Sequence, residues 1–165
     1  MKVTAQIRYA ADPATTFAML LDEGFQEQVC RATGAMSFEV SVDAGTSGGG
    51  ATIRTSRRLP TDGFPDFVQK FVGDTVQVDR ADTWGPAAAD GSRDGTIVVE
   101  IKGAPVRLSG TLTLRPGGPG AVEDVQAELK AAVPLVGGRI EKAVEPTIRA
   151  AVATEEKVGA RWLAG

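Results

Sequence analysis

The chain has 165 residues, 42% of them apolar, and a formal net charge of −3. That length suits a single domain, residues 1–165, with a real core. The acidic balance argues against a nucleic-acid partner, which usually meets a basic face. There is no histidine, and Cys30 is the single cysteine. The commonest general base is therefore missing, with every Ser-His-Asp or Cys-His arrangement. One thiol can form no intramolecular disulfide, and no zinc site of the usual kind can be built. No metal or other cofactor is implied. The opening stretch MKVTAQIRYAADP has no apolar signal region. No apolar run approaches the ~20 residues that span a bilayer. A cytoplasmic protein without a membrane segment is expected.

Residues 2–9 alternate, with Val3, Ala5, Ile7 and Tyr9 on one side, which predicts a half-buried first strand. Asp12-Pro13 then reads as an N-cap followed by proline in the first helical position. Phe17, Leu20 and Leu21 fall at helical spacing, and Gly24 is expected to break that helix. A second short helix, from Phe25 to about Thr33, carries Val29 and Cys30, with Gly34 as its cap. Residues 36–43 alternate again. The stretch AGTSGGG (44–50) could cradle a phosphate, but no Gly-Lys-Ser/Thr follows and the next segment is β-like. It reads as a hairpin connection.

Ala51 to about Arg58 predicts a basic strand bearing Arg54, Arg57 and Arg58. Arginine presents a planar fork to carboxylate or phosphate, so these residues with Lys70 and Arg80 could hold an anionic head group, or equally line an outer face. Arg57 alone shares the phase of Ile53, and is the one expected to point inward. Phe64, Phe67, Val68 and Phe71 follow at i, i+3, i+4 and i+7, a short amphipathic helix near 64–72. The strand at 74–84 places Val76, Val78, Arg80, Asp82 and Trp84 on one face. If that face points inward, Arg80 and Asp82 stand in or at the mouth of a cavity. The sequence leans the other way, to a bulge or a departing strand that turns both charges to solvent.

After a loop at 85–95 come three strands with inward Ile97, Val99 and Ile101, then Val106, Leu108, Leu112 and Leu114, then Val125, Ala127, Leu129, Ala131 and Val133. Short turns join them, so they should pair antiparallel. From Pro134 the chain turns into a long helix, 138–163. Ile140, Val144, Ile148, Val152 and Leu163 form its stripe, with Ala151 and Trp162 beside them. Pro146 lies inside it and predicts a bend near 142–146. Glu141, Lys142, Arg149, Glu155, Glu156 and Lys157 read as its exposed charged face.

This order of strand, helix pair, six-stranded meander and terminal helix resembles the helix-grip fold of the START-like superfamily. A closer resemblance, to an actinobacterial family of unknown function within it, rests on RRLPTDGFPDFVQKFVGDT (57–75), DTW (82–84) and PLVGGRIEKAVEP (134–146). The resemblance implies an α+β domain: a curved seven-stranded antiparallel sheet, two short helices after the first strand, and a long C-terminal helix over the sheet. It also implies an internal cavity for a lipid, sterol, polyketide or other bulky apolar molecule. It supplies no catalytic residue.

The expected function is a binding or transport module for a small apolar or amphipathic ligand held between sheet and helix. The cavity candidates are Ile53, Arg57, Phe64, Phe67, Phe71, Val78, Arg80, Trp84, Val99, Leu112, Ala127, Ile140, Val144 and Ile148. Small inward residues (Gly110, Ala127, Ala131, Ala143, Ala151) suit a pocket, or else closer packing of the helix. Two alternatives stay open. A cyclase or dehydratase would have to use Glu123, Asp82, Arg80, Tyr9 or Arg57, none of them in a recognisable motif. A protein-interaction module of co-chaperone type would use the charged face of the last helix. An entrance, if there is one, is expected between residues 137–145 and the phenylalanines of 64–71.

Overall fold

The computed structural model describes residues 1–45 and 49–165. Residues 46–48, within the predicted 44–50 hairpin connection, lie outside the described residues.

Seven strands form one antiparallel sheet: β1 (Lys2–Tyr9), β2 (Ser37–Asp43), β3 (Ala51–Pro60), β4 (Thr75–Trp84), β5 (Arg93–Ile101), β6 (Val106–Gly117) and β7 (Gly120–Ala131). The order across the sheet is β1-β7-β6-β5-β4-β3-β2. Helices α1 (Pro13–Leu20) and α2 (Glu23–Ala32) lead from one edge strand to the other, and α3 (Asp66–Val72) joins β3 to β4. Helix α4 (Gly137–Ala164) continues unbroken through the exposed Pro146 and packs on β1, β7 and α2. Among the described residues no helix is long and apolar enough to cross a membrane.

Local chemistry sets the element ends. Asp12 accepts the Thr15 amide proton at 2.7 Å, with Pro13 opening α1. Asp22 does the same for α2 through the Gly24 amide at 2.8 Å. Gly24 was expected to break a helix, yet it lies in the first turn of α2. The break is made by the Asp22 cap instead, because a capping carboxylate starts a new helix there. The loop expected at 85–95 ends early, since β5 begins at Arg93 and pairs with Leu114 of β6.

The core lies between α1, α2, α4 and the inward face of β1, β6 and β7. Val3, Ile7, Phe25, Leu112, Leu114, Leu129 and Val158 are closed off from solvent. Gly110 is required here by close approach: a Cβ would stand 2.0 Å from the Gln126 carbonyl oxygen across the β6–β7 ladder.

Candidate functional site

The cross-strand register decides where the charged residues point. Arg80 lies opposite Thr55 and Val99, and Asp82 opposite Ile53 and Ile97. Residues directly opposite share a face of the sheet, so both charges stand on the inward side. The solvent-facing bulge favoured by the sequence is therefore wrong. The strand stays regular because a partner waits inside. Arg80 grips Asp82 with Nε (2.9 Å) and Nη2 (2.7 Å), and gives Nη1 to Glu155 of α4 at 3.0 Å.

Glu155 corrects a second expectation. It was assigned to the exposed face of the last helix, but is only 4% exposed. It follows Ile148 and Val152 by seven and three residues and so continues their stripe. Glu141 is buried as well, accepting the Ala131 amide proton at 3.2 Å. Neither belongs to a charged interaction surface.

Glu123 completes the cluster. On β7 it lies between Ile7 of β1 and Leu114 of β6, both buried, and is itself 1% exposed. Tyr9 donates its hydroxyl to Glu123 across 3.4 Å. Gly159 lets α4 cross directly above the Tyr9 ring, where a Cβ would stand 2.6 Å from Cε1. Burial first, then the nearby Glu155 charge, pushes the Glu123 carboxyl up to about 8. Burial also raises Asp82, despite the Arg80 charge beside it, and raises the Tyr9 hydroxyl. Burial opposes the charge of Arg80, but Asp82 and Glu155 more than offset it and hold its pKa well above the ordinary value. With Glu123 neutral, Arg57 and Arg80 formally balance Asp82 and Glu155.

Arg57, inward as its phase predicts, lies opposite Phe38 and Val78. Its Nη1 donates to the Thr33 hydroxyl at 2.9 Å, and Thr33 in turn donates to the Cys30 carbonyl at 2.9 Å. Its Nε is buried and has no partner among the described residues. Burial first, and the positive charge of Arg80 second, hold its pKa below the arginine range.

Around this cluster the inward face changes character. Val78, Val99 and Ile101 on β4 and β5 are half-buried, as are Ile148 and Val152 on α4. Phe64 and Phe67 are half-buried near the start of α3, and Phe71 is exposed. The Arg139 guanidinium lies 4.5 Å above the Phe67 ring, which brings α3 and the first turn of α4 together. Of the other predicted cavity residues, Ile53, Trp84, Leu112, Ala127, Ile140 and Val144 are buried in the core. Trp84 meets Phe17 edge to face at 6.0 Å.

Two open concavities lie elsewhere. One, about 630 Å³, is flanked by Arg31, Arg161 and Trp162 between α2 and the end of α4. The other, about 980 Å³, crosses the opposite face of the sheet beside Arg54, Gln77, Asp79 and Glu100. Its polar groups largely satisfy one another, Ser56 and Gln77 donating to Asp79 at 2.7 and 3.1 Å. Among the described residues no three His, Cys, Asp or Glu side chains are grouped as a metal ion would require.

Sequence reasoning named Tyr9, Arg57, Arg80, Asp82 and Glu123, and the fold brings them together. It missed Glu155, Thr33 and the separation of Arg57 from any acid. The helical position of Glu155 relative to Val152 was the one signal that could have found it.

The family model described as "Protein of unknown function (DUF2505)" matches residues 4–163. Uncharacterized proteins of Mycobacterium tuberculosis and Mycobacterium bovis are 28% identical over 123 residues, covering 72% of this chain and 70% of theirs. Among solved structures, the protein TTHA0849 of Thermus thermophilus aligns over 96% of this chain and 97% of its own, with a TM-score of 0.60 at 17% identity. Ara h 8.0201 aligns over 100% and 99%, with a TM-score of 0.53 at 14% identity. A STAR-related lipid transfer protein of Xanthomonas axonopodis aligns over 93% and 85%, with a TM-score of 0.52 at 14% identity. The fold is helix-grip, START-like, as the order of elements implied.

Proposed function

The chain belongs to the DUF2505 family, and from that premise we propose that it is a binding or transport module for one small amphipathic molecule. The ligand's apolar body lies along Val78, Val99, Ile101, Ile148 and Val152. Its polar end reaches the Arg57–Arg80 side of the buried cluster. One observation carries this reading: the inward apolar side chains of β4 and β5 stay half-exposed directly beside a buried charged cluster. Such a trough can bury the apolar part of a ligand and still orient it with a few polar groups. The likeness in fold to a STAR-related lipid transfer protein supports the lipid class. Arg139 and Phe67 flank the entrance in this reading, between the start of α4 and the phenylalanine stretch.

The test is a fluorescence titration of the full chain with N-phenyl-1-naphthylamine, an uncharged apolar probe. Saturable binding at one site, with a melting temperature that rises with probe concentration, is expected. A linear, unsaturable signal with no change in melting would sink the reading.

A second reading, an acid–base enzyme of the cyclase or dehydratase kind, is favoured by Glu123 alone, a carboxyl that keeps its proton near neutral pH beside Tyr9. It predicts that an incubated hydroxy-acyl amphiphile loses water, and that Glu123→Gln abolishes the loss. Recovery of every such compound unchanged would dispose of it.

A further inference from the structure

Arg80 and Arg57 point into the same interior, and only one of them is matched. Arg80 spends Nε and Nη2 on Asp82 and Nη1 on Glu155. Asp82 and Glu155 are therefore committed to one guanidinium, while Glu123, the third carboxyl of the cluster, meets Tyr9. Arg57 forms no ion pair among the described residues. Its one partner among the described residues is a neutral hydroxyl, Thr33, fixed in direction because it donates to the Cys30 carbonyl. Arg57 is half-buried, but its Nε is closed off from solvent, and leaving a buried donor without an acceptor is costly. The unmatched Nε also belongs to the edge that arginine offers to a carboxylate in a two-point contact. On either side of Arg57, across the strands, stand Phe38 and Val78, so the approach to it is apolar.

We propose that Arg57 is the receptor for a ligand carboxylate, so that the occupant of the trough is an amphipathic monocarboxylic acid rather than an alcohol, a sterol or a phosphate ester. The inference rests on the trough being a ligand site, and goes beyond it by naming the head group. A single negative charge is favoured because the cluster is already formally neutral and what Arg57 has free is a donor, its Nε. A doubly charged phosphate would bring its excess charge towards Asp82 and Glu155. The carboxylate accepts from Nε and the neighbouring Nη, Thr33 holds the far side of the fork, and the alkyl body runs past Val78 towards Val99.

The experiment is displacement of N-phenyl-1-naphthylamine from the full chain at pH 7.5 by decanoic acid, 1-decanol and decyl phosphate, on the natural protein, Arg57→Gln and Arg57→Lys. Decanoic acid should displace the probe at a concentration about tenfold or more below that of decanol, the usual scale of a charge-assisted contact. Arg57→Gln should erase that advantage and leave decanol unchanged. Arg57→Lys, which keeps the charge without the fork, should retain only part of it. Without ligand, Arg57→Gln should melt no lower than the natural protein, because no ion pair is lost. Equal displacement by acid and alcohol, an acid preference that survives in Arg57→Gln, or stronger displacement by decyl phosphate would each overturn the assignment. So would a large fall in melting temperature for Arg57→Gln, which would make Arg57 a structural residue; if that variant fails to fold, an undiminished acid advantage in Arg57→Lys decides against the fork. Failure of the probe to bind at all is a separate result, and removes the trough reading itself.

Discussion

On β6 and β7 the inward leucines are sealed, with Leu108, Leu112, Leu114 and Leu129 at most 5% exposed. On β4 and β5, Val78, Val99 and Ile101 point to the same side of the sheet and keep part of their surface open. The two regions have similar side chains and the same strand geometry. What differs is the cover. Helix α4 lies on β1 and β7, where Gly137 allows close approach to Ala131 and Gly159 to Tyr9. Its link to β4 is an ion pair, Arg80 to Glu155. The one long helix does not seal both halves of the sheet, and the half it leaves carries Arg80 and Asp82.

The largest effect should come from breaking the bridge between the halves. Arg80→Met strands Asp82 and Glu155 as buried charges without a partner, which costs about 3–5 kcal/mol. Urea denaturation measures it, and a loss below about 1 kcal/mol would show that the cluster is well solvated. Next comes the sealed half. Leu129→Ala should cost about 2–5 kcal/mol, since its neighbours cannot collapse into the space.

Glu123 gives a pH signature. Its unfolded carboxyl ionises near 4.5, and the folded one near 8. Between those values the folded state holds a proton that the unfolded state has released, so stability falls as pH rises. The slope should approach but not exceed ~1.4 kcal/mol per pH unit. Glu123→Gln should flatten this fall between about pH 5 and 8, and melt higher than the natural protein at pH 8. Identical profiles for the two proteins would mean that Glu123 is ionised in the fold. The smallest effect belongs to the open half. Ile101→Ala should cost only about 1 kcal/mol, because the side chain is half out of contact already. A loss equal to that of Leu129→Ala would erase the distinction between the halves.

The architecture was legible in the sequence because each strand alternates and each turn carries glycine, proline or a capping aspartate. The strand at 74–84 shows where that legibility ends. Arg80 and Asp82 on an otherwise apolar phase fit an exit to solvent as well as a buried pair. What decides between them is Glu155, a residue 75 positions away from Arg80. Glu155 sits in a charged run, Glu155-Glu156-Lys157, that reads as solvated, and only its angle on the helix distinguishes it from Glu156. The half-burial of Val99 and Ile101 was illegible for a different reason. Periodicity tells which face a side chain takes, but not whether another element reaches it.

A ligand lying in the open half would touch its half-buried side chains and spare the sealed leucines. Methyl NMR spectra of the full chain, recorded while N-phenyl-1-naphthylamine is titrated in, test this residue by residue. The expected result is saturable shifts at Val78, Val99, Ile101, Ile148 and Val152, with Leu112, Leu114 and Leu129 unmoved. Shifts confined to Val98 and Ala81 on the opposite face, or spread evenly over the sealed leucines, would contradict it.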